Sequence, residues 1–117
     1  MILYAYSKCS TCQKAFKYLE EHNISYTLKE IKENAPTVEE LKMMLKHQGG
    51  NLKKLFNTSG DLYREMKLSE KLQDMPLDES LELLSQHGML VKRPFLLGKN
   101  FGIIGFKEAA WIEKLQS

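Results

Sequence analysis

Hydrophobic positions along the chain follow two different periods, and the switches between them mark out the elements. Met1 to Tyr6 (Met-Ile-Leu-Tyr-Ala-Tyr) is a short apolar run that reads as a buried strand. Gln13 to His22 instead places Ala15, Phe16 and Leu19 at helical spacing, with lysines and glutamates opposite. Ile24 to Ile31 alternates apolar and polar residues after a break at His22-Asn23, which predicts a second strand with Ile24, Tyr26 and Leu28 facing inward. Strand, helix and strand within roughly thirty residues make a βαβ unit, so these two strands are expected to run parallel.

Asn34-Ala35-Pro36-Thr37 closes that unit and opens a helix, with Thr37 as the cap and Glu40 completing a capping box. Leu41, Met44 and Leu45 give its apolar stripe, which stops at Gly49-Gly50. From Asn51 to His87 the signals stay helical but become short. Leu52, Leu55 and Phe56 form one segment, broken at Asn57-Thr58-Ser59-Gly60; Leu62, Tyr63 and Met66 form the next. Leu68 to Leu72 predicts a single turn, and Leu77, Leu81, Leu83 and Leu84 a longer helix ending near His87-Gly88. No heptad continues through this stretch, which argues against a coiled coil. Residues 37–87 therefore read as a helical subdomain inserted between two βαβ-like halves. Beyond it, Pro94 can stand at the entrance of a strand, Phe95-Leu96-Leu97, without losing a ladder bond. Gly98-Lys99-Asn100 is a hairpin turn leading into Phe101-Gly102-Ile103-Ile104. Phe106 to Gln116 closes the chain as a helix, with Ala109, Ala110, Ile112 and Leu115 available for burial.

The only two cysteines, in Cys9-Ser10-Thr11-Cys12, fall on the turn between the first strand and the first helix. Unpaired N–H groups and the positive end of the helix dipole stabilise a thiolate at Cys9. Two intervening residues let Cys12 attack a mixed disulfide formed on Cys9. A zinc site would need about two further ligands, and His22, His47 and His87 are scattered over separate segments. Haem attachment would require His at position 13, where Gln13 stands. A loop this short constrains the unfolded chain very little, so a purely structural disulfide is disfavoured. The pair reads as redox chemistry.

Composition narrows the setting without changing that reading. The 117 residues suit one domain, and 43% hydrophobic with 27% charged content is ordinary for a soluble protein. No apolar run is long enough to span a bilayer and no leader resembling a signal peptide is seen, so a cytoplasmic location is expected. There a cysteine pair is more often catalytic than structural. The net charge of +2 is too small to argue for nucleic acid, and the lysines between Lys42 and Lys54 read as a solvated helix face. No direct nucleic-acid or membrane partner is expected, and a monomer is.

A C-x-x-C turn in a βαβ start, a late X-Pro bond, then a hairpin and a terminal helix resemble the thioredoxin/glutaredoxin-like α/β fold. More narrowly, Tyr4 to Gln13, Leu52 to Leu68, Leu90-Val91-Lys92-Arg93-Pro94 and Gly105-Phe106-Lys107-Glu108 resemble the arsenate reductase and Spx family of that fold. The resemblance implies a mixed four-stranded sheet with strands near 2–6, 25–29, 95–97 and 101–104. Flanking helices should lie near 10–22 and 107–116, with the insert packed to one side. It also implies that Cys9 is the nucleophile, that Pro94 is cis, and that Arg93 lies beside the thiolate and contacts an oxyanion. A guanidinium suits that role, since its planar fork of donors favours both an oxyanion and a nearby thiolate.

Departures from the family pattern shape the expected function. Glutaredoxin-linked arsenate reductases of this family resemble the chain in fold but use one cysteine and three arginines. Here Cys12 fills the second cysteine position, the middle arginine is replaced near Asn57, the later one falls near Gly105-Phe106, and Arg93 remains. The expectation is a thiol–disulfide oxidoreductase with Cys9 attacking, Cys12 resolving and Arg93 assisting, and with Thr11, Gln13, Arg93 and Pro94 forming the substrate groove. No bound cofactor is expected; glutathione, thioredoxin or glutaredoxin would supply electrons, and a thiol reductant or a protein disulfide would be the partner. Efficient arsenate reduction is not expected, although glutaredoxin-linked reduction of arsenate stands as a further alternative. The other alternative is an Spx-like redox-sensing regulator that binds the α-subunit of RNA polymerase. Gly49-Gly50 lies close to the glycine that supports that contact, and the chain is read as lacking those regulators' tail.

Overall fold

A computed structural model describes residues 1–116. Its centre is a four-stranded sheet in the order β2-β1-β3-β4. The strands are β1 (Ile2–Ala5), β2 (Thr27–Glu30), β3 (Phe95–Leu97) and β4 (Gly102–Ile104). β1 runs parallel to β2, pairing Leu3 with Leu28, and antiparallel to β3, pairing Leu3 with Leu96. β3 and β4 form the hairpin, closed where the Gly98 N–H donates to the Phe101 carbonyl at 2.9 Å. The expected mixed sheet is therefore present, with the first and third strands paired.

Successive side chains on a strand point to opposite faces, and each face has its own cover. Leu3, Ala5, Leu96 and Ile103 pack against α1 (Ser10–Glu21) and α6 (Glu108–Gln116), through Ala15, Leu19 and the fully buried Trp111. Tyr4, Phe95 and Leu97 face the helical insert, meeting Leu41, Met44, Leu81 and Leu84.

The insert begins with α2 (Val38–His47), and the expected capping box forms. Glu40 N–H donates to the Thr37 hydroxyl at 3.1 Å, while the Glu40 carboxylate accepts from the Thr37 N–H at 3.0 Å. The helix ends where Gly49 and Gly50 take φ of +70° and +81°, a region costly for other residues. Short pieces follow: a 3₁₀ turn at Leu52–Leu55, α3 (Asp61–Glu65), α4 (Leu68–Lys71) running into a 3₁₀ turn at Leu72–Asp74, and α5 (Leu77–Gln86). A last 3₁₀ turn, Gly88–Leu90, carries the helical stretch slightly past the expected end. Gly88 is required there, because a Cβ would collide with the Ile31 carbonyl. None of the described helices is long and apolar enough to cross a membrane.

Two expectations about burial are corrected. Leu28 is 46% exposed, not inward, and β2 starts only at Thr27. β2 is an edge strand whose residues are mostly exposed, and the half-buried Ile24 and Tyr26 pack in the segment before it. In the last helix Ala109 and Ile112 are exposed, and Trp111 is the residue buried against the sheet. Its indole N–H donates to the Gly105 carbonyl at 3.0 Å, which fixes the rotation of α6 about its axis.

Candidate active site

β1 leads into the loop Tyr6–Cys9, and that loop is held at both ends. The Cys9 N–H donates to the Tyr6 carbonyl at 2.9 Å, and the Ser7 N–H donates to the Glu30 carboxylate at 2.9 Å. Cys9 is the N-cap of α1 with extended backbone angles, and the first turn carries no acidic residue. The cap position leaves helix N–H groups facing the sulfur, and no acidic side chain of that turn opposes a negative charge there.

The two thiols sit one turn apart in unlike surroundings. Cys9 is partly exposed, whereas Cys12 is fully buried against the sheet. Burial works against ionisation at Cys9, but hydrogen bonds from the Cys12 N–H and thiol, the Thr11 N–H and Arg93 outweigh it and hold Cys9 below the usual thiol value. Burial dominates at Cys12 and pushes it up to about 12; the charge on Cys9 adds to this, and the Tyr6 N–H, donating to the Cys12 sulfur at 3.4 Å, opposes it. The surroundings thus favour the thiolate at Cys9 and the protonated thiol at Cys12.

Arg93 comes from the chain just before β3, the strand paired with β1. The Arg93-Pro94 peptide bond is cis, as the resemblance implied. The guanidinium stacks over the Tyr6 ring, 5.4 Å from its centroid. Its Nε and Nη1 are buried with no hydrogen-bond partner among the described residues. Beside it opens a cavity of about 510 Å³ whose walls include Asn57, Ser59, Asp61, Glu65 and Met89. Asn57 reaches this position because the chain before it pairs with the chain before Arg93: the Asn57 N–H donates to the Leu90 carbonyl at 2.7 Å and the Lys92 N–H to the Leu55 carbonyl at 2.8 Å. The chain's other arginine, Arg64 in the middle segment, is exposed and turned to Asp61 and to the Ser59 carbonyl.

Thr11 is half-buried in the first turn of α1, and Pro94 is buried at the start of β3. The Gln13 N–H is spent on the Cys9 carbonyl at 3.0 Å, and its side-chain amide donates to the Ser7 carbonyl at 3.1 Å. The second backbone N–H acting on the Cys9 sulfur, beside that of Thr11, is that of Cys12. Two contributors went unread in the sequence: Tyr6, which touches both Arg93 and Cys12, and Glu30, which pins the loop. An aromatic at the end of a strand leading into C-x-x-C was the available signal for the first. Among the described residues, no cluster of three or more His, Cys, Asp or Glu gathers to hold a metal.

Comparison with known proteins gives the family and the fold. The family model described as "ArsC family" matches residues 4–114. The uncharacterized protein YusI of Bacillus subtilis (strain 168) is 49% identical over 108 residues, covering 92% of each chain. The global transcriptional regulator Spx 2 of Bacillus cereus is 32% identical over 108 residues, covering 92% of this chain and 81% of the regulator. The crystal structure of a possible arsenate reductase from Streptococcus mutans UA159 superposes with a TM-score of 0.88 at 39% identity, covering 99% of this chain and 97% of that one.

Proposed function

The chain belongs to the ArsC family, and on that premise we propose that it is a thiol–disulfide oxidoreductase in which Cys9 attacks and Cys12 resolves. The opposite displacement of the two thiols carries this reading. The Cys9 thiolate attacks one sulfur of a substrate disulfide, forming a mixed disulfide and releasing the other sulfur as a thiolate. With its charge consumed, Cys9 no longer raises the Cys12 thiol, and the departing thiolate is a base able to take the Cys12 proton. Cys12 then attacks the Cys9 sulfur, releases the second substrate thiol and closes the Cys9–Cys12 disulfide. Two electrons from glutathione, thioredoxin or glutaredoxin return the pair to dithiol. Thr11, Arg93 and Pro94 line the approach to Cys9, and Gln13 steadies the loop through the Ser7 carbonyl.

Titration of thiolate absorbance in the wild type and in Cys12→Ser tests the reading. Cys9 is expected to ionise below the unperturbed value of ~8.5 in the wild type; an unperturbed value in both proteins overturns it. Arsenate is expected to be a poor substrate. One guanidinium stabilises a dianion only modestly where solvent reaches, and Arg64 is engaged elsewhere. Robust arsenate turnover with glutathione and glutaredoxin, lost in Cys9→Ser and retained in Cys12→Ser, would instead assign the chain to glutaredoxin-linked arsenate reduction.

A second reading is supported by the 32% identity to the regulator Spx 2. In it, the same cysteine pair switches contact with the α-subunit of RNA polymerase near the exposed Gly49-Gly50 turn. Capture of the polymerase that depends on redox state and on Gly49-Gly50, with no turnover of a model disulfide, would favour it over the reductase.

A further inference from the structure

A cleft of about 630 Å³ lies away from the cysteines, along the outer edge of β4. Its walls carry Lys53 and Lys54 from the 3₁₀ turn after α2, Lys92 from the run before Pro94, and Lys107 and Lys114 from around α6. No acidic residue lines it, and the ion pairs among the described residues, Lys17–Glu21 and Arg64–Asp61, lie elsewhere. Five ammonium groups with no ion-pair partner among the described residues, around one concavity in a chain of net charge +2, make a local field that the overall charge conceals.

The floor supplies a second, independent feature. The hydrogen-bonded pairs of the β3–β4 hairpin are set by the Gly98–Phe101 closure and by the Gly105 N–H donating to the Pro94 carbonyl at 2.8 Å. Alternation along the ladder therefore turns the backbone groups of Gly102 and Ile104 outward. The Gly102 carbonyl accepts from the Gln48 amide at 3.2 Å, but the Ile104 N–H and carbonyl find no partner among the described residues. An open strand position bordered by lysines matches an extended polypeptide, which offers backbone hydrogen bonds together with side-chain charge.

We propose that this cleft docks an extended acidic segment of a partner protein alongside β4. Charge complementarity selects the acidic character, and the outward Ile104 backbone selects a polypeptide over a nucleic acid. The lining contains no arginine, its one phenylalanine, Phe56, is 1% exposed, and the exposed His47 is the single ring left to meet a base, so the run of stacking rings on which single strands are held is missing. Lys92 adjoins Arg93 in the chain, so a segment seated here would bring its parent protein to the side of the molecule that carries the thiol site.

The test is fluorescence anisotropy with a labelled peptide of alternating glutamate and valine, beside a single-stranded oligonucleotide of equal charge. The wild type is expected to bind the peptide in a salt-sensitive manner, with an added-peptide slowing of amide exchange at Ile104. Lys53→Glu with Lys107→Glu should weaken binding at least about tenfold, while Lys29→Glu with Lys32→Glu, the same charge change on the opposite side of the sheet, should not. Should the first double variant fail to melt cooperatively, Lys54→Gln with Lys114→Gln carries the same comparison. Absence of peptide binding, equal weakening by both double variants, or tighter binding of the oligonucleotide would each overturn the proposal. Cys9→Ser is expected to bind the peptide as the wild type does, so the docking site and the thiol chemistry stand or fall separately.

Discussion

The two faces of the sheet are built on opposite plans. Two helices of 12 and 9 residues cover Leu3, Ala5, Leu96 and Ile103, and one large side chain, Trp111, fills the space between them. The other face is covered by α2, α5 and a chain of single turns, none of which would persist alone in water. The insert nevertheless has the larger buried cluster, from Tyr4 through Leu97. A continuous helix holds Cys9 at its cap, whereas the pieced-together face supplies Asn57 and other walls of the cavity beside Arg93.

Truncation at Trp111 should produce the largest effect. Trp111→Ala removes the only buried aromatic of α6 together with its bond to Gly105 and is expected to cost about 3–5 kcal/mol in urea unfolding. A smaller loss than that of Leu84→Ala, which removes less volume from the insert side, would break the contrast between one anchor and many.

A pH series sharpens the same contrast at the thiols. Burial raises Cys12 from 9 to about 12, so in that window the unfolded chain has already lost the proton that the folded chain keeps. The stability this thiol contributes is complete below pH 9 and falls as pH rises toward 12. The margin of the wild type over Cys12→Ser, measured by denaturant titration, should narrow through this range. A constant margin would mean that the buried thiol is not held protonated.

The smallest effect is expected at the entrance of the insert. Thr37→Ala removes one side-chain cap and should cost about 1 kcal/mol, read as a lower melting temperature with unchanged thiolate absorbance. A change at Cys9 would show that the two faces are coupled more tightly than their separate covers suggest.

What could be read from sequence was whatever depends on near neighbours. The Cys9–Cys12 spacing, the Thr37–Glu40 box and the Gly98–Asn100 turn each lie within a few residues, and the structure forms all three elements. Leu28 was misjudged because alternation tells two faces apart but not whether anything covers them, and nothing covers this edge strand there. Four apolar residues in the last helix left its rotation open until the sheet and Gly105 selected Trp111. Arg93 could be placed by resemblance, but its stacking on Tyr6 joins positions that only the β1–β3 pairing brings together.

One carboxylate oxygen of Glu40 accepts both the Tyr4 hydroxyl, at 2.7 Å, and the Thr37 N–H, at 3.0 Å. The stitch between the central strand and the insert is therefore also the stitch that starts the insert's first helix. A graft of residues 37–90 onto another sheet would carry the helix-starting half of that junction and leave the Tyr4 half behind. Such a transplant needs a phenol at the receiving strand, or the borrowed helix begins with an acceptor that has lost its main tie to the new host.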